Sequence, residues 1–148
     1  MAAIVESIEI DRRAEDVFSY LLDPSHLPDW QESAVAVRRL DDGPVAVGSR
    51  VVVTRRVGSR DREMTNELTE LNPPSSWTVR GTGTPIRAIA KGRIEPVANG
   101  ERSRVTIELD FKGRGIGKLL VPLVVRRQAA SEMPRNMRKL KEALEART

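Results

Sequence analysis

From about residue 34 to residue 112 the chain keeps a hydrophobic period of two, with no helical stretch in between. AVAVRRL reads as a strand closed by the turn DDGP. VGSRVVVTRRV and REMTNELTEL read as two more, joined across Gly58-Ser59. WTVRG, IRAIAKGRIEPV and RSRVTIELDFK complete the run, with Asn99-Gly100 as a hairpin turn between the last two. The last segment is the clearest. Val105, Ile107, Leu109 and Phe111 face one way, and Arg104, Thr106, Glu108, Asp110 and Lys112 face the other. One buried face and one wet face is the pattern of an antiparallel sheet. Strands gathered in a run, instead of alternating with helices, favour an α+β domain over a parallel α/β one.

The flanks carry a different signal. Residues 3–10, AIVESIEI, put Ile4, Ile8 and Ile10 on one strand face, together with Glu6. Asp11 is placed to cap a helix through RRAEDVFSYLLD, where Val17, Phe18, Leu21 and Leu22 recur at helical spacing. Asp23-Pro24 ends that helix, because the residue before proline is pushed out of the helical region. The turn SHLPDW then delivers Trp30. After GRGIG the helical period returns and runs to the end. Met133, Met137, Leu140 and Leu144 form one apolar stripe there. Pro122 falls within the first turn, where its missing N–H costs little, and Pro134 falls mid-helix, where a kink is expected.

The 148 residues fit a single domain over 1–148, with one sizeable core. Cysteine is absent, which excludes disulfides, thiolate nucleophiles and zinc-thiolate sites, and His26 is the only histidine. No metal and no cofactor are expected. The longest apolar run, Leu119–Val125, contains Pro122 and is far short of the roughly 20 residues that span a bilayer. The start MAAIVESIEIDRR lacks the basic n-region of a secretory signal, so a cytoplasmic protein is the default expectation. Charge is uneven. Residues 114–148 hold nine Lys or Arg against three Asp or Glu, a net of +6, while residues 1–113 carry −2. The excess belongs to one helix, so it reads as a solvated face or as a surface for an anionic membrane or an acidic partner. The bases are scattered and no aromatic residue interleaves with them, so nucleic acid is not expected as a partner.

The order and spacing of these pieces resemble the SRPBCC superfamily, the START/Bet v 1-like proteins. Within it they are most similar to the polyketide cyclase/dehydrase and coenzyme-Q-binding-like group. The resemblance covers nearly the whole chain. It rests on IEIDRRAEDVFSYLLDPSHLPDW, on VGSR entering a long strand after DDGPV, on the E-x-x-P-P corner in TELNPPSSWTV, and on the Gly-rich approach to a last helix ending LKEALE. It implies a helix-grip fold: a curved antiparallel sheet of about seven strands around a long C-terminal helix, with one or two short helices after the first strand. It also implies a hydrophobic cavity between sheet and helix. The residues that would line it are Trp30, Val53, Met64, Leu68, Trp77, Val79, Ala90, Phe111, Leu120, Val124 and Met133, with Asn66 as polar anchor. For each of them simple core packing is the competing reading. Such a lining is mainly aliphatic, which suits an alkyl, isoprenoid or polyketide-like molecule and offers no stacking box for a nucleobase.

No catalytic constellation emerges from the residue types. His26 reads as a surface turn residue, the alternative being a base at the cavity mouth. Ser49 and Ser59 lie outside any G-x-S-x-G elbow. Glu63 and Glu67 share an outward parity with Thr65 and Thr69. Gly113, Gly115 and Gly117 before Lys118 lack the spacing and the following Ser/Thr of a phosphate loop, and read as a hinge admitting the helix. The leading expectation is binding or transport of a hydrophobic small molecule (lipid, quinone or polyketide-like). Three readings stay open beside it: a cyclase/dehydrase-type enzyme that folds a reactive chain inside the same cavity, a membrane-surface or docking module on the basic helix, and a homodimer through the apolar start of that helix.

Overall fold

The computed structural model describes residues 3–82, 86–113 and 125–147. Seven strands form one antiparallel half-barrel in the order β1-β7-β6-β5-β4-β3-β2. They are β1 (Ile4–Ile10), β2 (Ala34–Arg39), β3 (Arg50–Val57), β4 (Arg60–Asn72), β5 (Ser76–Thr82), β6 (Ile86–Val97) and β7 (Arg102–Gly113). Consecutive strands pair from β2 to β7, and β1 closes the far edge against β7. Between β1 and β2 lie α1 (Ala14–Leu22), a single 3-10 turn (Pro24–His26) and α2 (Leu27–Trp30). The long helix α3 (Arg126–Glu145) lies on the inner face of the sheet. The expected architecture therefore forms, with all seven strands and both short helices.

Registers follow from alternation. Inner-face partners across β7, β6 and β5 include Ile107 opposite Gly92, Leu109 opposite Ala90, Ala90 opposite Val79 and Gly92 opposite Trp77. Gly92 is required by the last of these. A Cβ there would lie 2.2 Å from Trp77 Cζ2, so only a bare backbone admits the indole. Trp77 in turn meets Phe18 of α1 edge to face, with ring centroids 6.0 Å apart.

The stripe on α3 behaves as its spacing requires: Met133, Met137, Leu140 and Leu144 are all buried. The packed core gathers around the C-terminal half of this helix, where Leu140 and Leu144 join Ile10, Val17, Phe18, Ile94 and Val105. Hydrogen bonds secure the same end. Arg12 Nη2 donates to the carbonyls of Glu145 (2.7 Å) and Arg147 (2.8 Å), the exposed acceptors at a helix C-terminus. Lys141 Nζ donates to the Glu9 carbonyl at 3.0 Å.

That docking corrects one local expectation. Asp11 does not cap α1; Arg13 holds the N-cap position and offers no side-chain cap bond. The Asp11 backbone N–H instead donates to Glu145 Oε2 at 2.8 Å, so a long-range contact takes the residue a short-range signal had assigned to the helix. Residues Pro122, Leu120, Val124 and Gly115–Lys118, which carried expectations for the start of the last helix, lie outside the described residues.

Candidate ligand cavity

Over the N-terminal half of α3 the sheet and helix separate. One lobe of about 170 Å³ opens there, and a second of about 150 Å³ adjoins it on the side of α1 and α2. A cavity of about 150 Å³ holds a benzene-sized group, so each lobe has room for one ring or a short run of methylenes. The first lobe runs under Gln128, Ala129, Glu132 and Met133 of α3 to the exposed Arg62. The second runs beneath α2 toward Arg39, Val45 and Ser49. Trp30, Gln31, Arg55, Asn66, Val79, Ala90 and Ile107 border both, forming a waist.

Small side chains make the space. Gly81, Ala88 and Ala90 occupy inner positions of β5 and β6 and line the first lobe, where larger side chains would take up its volume. Gly81 also leaves room for Asn66: a Cβ at Gly81 would sit 2.9 Å from Asn66 Oδ1.

The expected lining distributes as follows. Trp30, Asn66, Val79 and Ala90 lie at the waist; Met64, Phe111 and Met133 line the first lobe; Leu68 and Trp77 line the second. Val53 shares the inner face of β3 with Val51, Arg55 and Val57 but is completely covered, and it borders neither lobe. Leu120 and Val124 are outside the described residues. Glu6 sits on the inner face of β1 opposite Ile107 but lines neither lobe itself. His26 also lines neither. It stacks on Tyr20, with centroids 4.0 Å apart, and its Nδ1 lies 3.0 Å from the Tyr20 carbonyl. Burial pushes the Tyr20 hydroxyl above its usual range, with Asp29 adding to the shift. Glu63 and Glu67 are exposed on the outer face, as their parity required; Glu70 has the inward parity of Leu68, but a register shift between Leu68 and Glu70 pairs it with Thr78 and leaves it exposed.

The chief surprise is a polar cluster. Arg55 points inward from β3, and Nη2 donates to Gln31 Oε1 at 2.6 Å while Nη1 donates to Ser33 Oγ at 3.2 Å. Burial pulls the guanidinium below its ordinary value, and the charge of Glu132 opposes that shift. Glu132 is itself buried. Its Oε1 accepts from the Ser33 N–H (2.8 Å) and from Asn136 Nδ2 (3.0 Å), and Asn136 Oδ1 accepts from the Glu32 N–H at 3.0 Å. These bonds fasten α3 to the segment between α2 and β2. At the turn between β3 and β4, Gln128 makes a second fastening: Nε2 donates to the Arg56 carbonyl (2.7 Å) and Oε1 accepts from the Gly58 N–H (3.0 Å). Finally, Trp30 Nε1 is buried without a partner among the described residues, an N–H donor that protein groups leave unsatisfied.

Parity could have found Arg55. It lies two residues beyond Val53, so it shares the face that Val53 was expected to present. Glu132 had no comparable signal, because the Ser33 N–H that it binds lies 99 residues away in sequence.

Among the described residues, no three His, Asp or Glu side chains stand close enough to hold a metal ion, and no helix is long and apolar enough to cross a membrane. The cavity offers instead an apolar enclosure with a few placed polar groups, the usual constitution of a small-molecule site.

A half-barrel gripping a terminal helix over such a cavity defines a START-like helix-grip protein. The chain belongs to the family described as polyketide cyclase/dehydrase and lipid transport, which it matches over residues 1–145. Among solved structures it is similar to a START superfamily protein from Mycobacterium smegmatis, with 12% identity, a TM-score of 0.81 and full coverage of both chains. It is also similar to the Zhui aromatase/cyclase from a Streptomyces species, with 19% identity and a TM-score of 0.72, covering 96% of this chain and 90% of that one. The di-domain ARO/CYC BexL of the BE-7585A biosynthetic pathway has a TM-score of 0.73 at 16% identity; 98% of this chain aligns, spanning 47% of that protein's length. At these identities the likeness is one of fold. No curated protein sequence matches the chain.

Proposed function

We propose that this protein binds a hydrophobic small molecule (lipid, quinone or polyketide-like) inside the cavity between sheet and α3. The observation that carries the reading is the pair of contiguous lobes whose walls are mostly Val, Ala, Met, Leu, Ile and aromatic side chains. Membership of a family described by polyketide cyclisation and lipid transport supports it. The proposed ligand-contacting residues are Trp30, Met64, Asn66, Leu68, Trp77, Val79, Ala90, Phe111 and Met133.

The chain provides its own reporter. Both of its tryptophans, Trp30 and Trp77, border the cavity. A short-chain quinone titrated into the protein is expected to quench their emission saturably at one equivalent, and native mass spectrometry should show the same one-to-one complex. Absence of saturable quenching with quinone and of any complex with fatty-acid probes would overturn the proposal.

The second reading, a cyclase or dehydrase, is favoured by one observation: Arg55, Asn66 and Glu132 present polar groups at the wall of the first lobe. They could hold a folded polyketide in a near-attack geometry. Turnover of a reactive polyketide analogue that is lost in Arg55→Gln would select this reading over plain carriage.

A further inference from the structure

The inner face of the sheet carries two arginines directly opposite one another. Arg55 of β3 and Arg62 of β4 are register partners, and both line the first lobe. Directly opposed residues on an antiparallel pair hold their Cβ atoms about 5 Å apart, and like charges so placed repel. Neither forms an ion pair among the described residues, although the Glu132 carboxylate acts on Arg55 from a greater distance. Among the described residues neither has a carboxylate oxygen within 4.0 Å, and the segments outside them contain no Asp or Glu. Arg55 spends two N–H donors on the neutral oxygens of Gln31 and Ser33 and keeps three of its five; Arg62 makes no side-chain hydrogen bond among the described residues. The charged lining of this lobe, among the described residues, is Arg55, Arg62 and Glu132, a net of +1.

Resting on the cavity reading above, we propose that the ligand is an amphipathic monoanion whose carboxylate is clamped between Arg55 and Arg62 while its apolar body runs past Met64 into the waist. A single negative charge brings the lobe to neutrality and relieves the repulsion across β3 and β4. A planar carboxylate matches the fork geometry of guanidinium donors. Gln31 and Ser33 hold Arg55 in position before the ligand arrives.

The test compares dodecanoate with its methyl ester, which share an apolar body and differ in charge. Isothermal titration calorimetry of the wild-type protein is expected to show the acid binding about tenfold tighter than the ester, the scale of one charge-assisted contact. Arg62 is exposed, so Arg62→Gln should fold normally. It should reduce that preference to about threefold or less, with ester affinity unchanged; Arg55→Gln should act in the same direction. If the ester binds as tightly as the acid, or if Arg62→Gln weakens both equally, the anion clamp is wrong while the cavity proposal stands. If neither compound binds, the clamp is wrong, and the cavity proposal falls with it when quinone also fails to quench the tryptophans.

Discussion

The two halves of α3 face the same sheet and meet it in opposite ways. From Met137 to Glu145 the helix is packed against α1, β1, β6 and β7, with Leu140 at 0% and Leu144 at 2% exposure. From Arg126 to Asn136 it is held away from the sheet, and the attachments are polar: Gln128 to the backbone at Arg56 and Gly58, Glu132 and Asn136 to the backbone at Ser33 and Glu32. The ion pair of Arg135 with Glu32 (2.8 Å) adds a link on the surface. Hydrogen bonds have a fixed length and direction, so side-chain-to-backbone bridges can hold two elements apart across a gap. Apolar contact cannot, because it gains free energy only as the gap closes. The hollow therefore persists because polar fastenings at its rim set the spacing, while the solid end provides the stability.

That contrast can be broken most sharply by truncation on either side. Leu140→Ala leaves a void in a packed layer and is expected to cost about 3 kcal/mol of unfolding free energy; Met133→Ala, at the edge of existing space, should cost about 1. Urea denaturation of both variants checks this, and equal losses would mean the two ends are packed alike. The next effect lies on binding. Ala90 sits at the waist, so Ala90→Phe should fill it, weakening quinone or fatty-acid binding at least about tenfold and changing stability by about 1 kcal/mol or less. Unaltered binding in a folded Ala90→Phe protein would place the ligand elsewhere.

The smallest effect concerns pH at the solid end. The Lys141 ammonium, followed by the Asp11 backbone N–H, holds the Glu145 carboxyl below its usual range. A carboxyl with a lowered folded-state pKa contributes stability above its unfolded value of 4.5, and loses it as pH falls through the folded value. Thermal melts of the wild-type protein should therefore decline more steeply on acidification below about pH 4.5 than those of Glu145→Gln. Parallel declines would show that this contact is energetically silent. Binding at the hollow end should be indifferent to the Glu145 substitution.

Where local geometry decides, the residues were readable. Alternation along β4 put Met64, Asn66 and Leu68 on one face, and they do line the cavity; the same alternation carries Arg62 onto that face, and along β3 it carries Arg55. Position on a face does not say whether a residue borders space or is covered. Val53 has the right parity and is covered by its neighbours, whereas Val79 remains open to the cavity. Asp11 shows the limit from the other side, its capping signal overridden by Glu145 from the far end of the chain.

Backbone geometry repeats every two residues in a strand and every 3.6 in a helix, so the sequence by itself determined the seven strands, the buried stripe of α3 and the antiparallel α+β class. The distance between sheet and helix is not a local quantity. It depends on Gly81, Ala88 and Ala90 lining the same open lobe as α3, and on Glu132 and Gln128 reaching backbone groups far away in the chain. Only the tertiary structure brings these residues together, and it is their meeting that leaves one end of the grip closed and the other open.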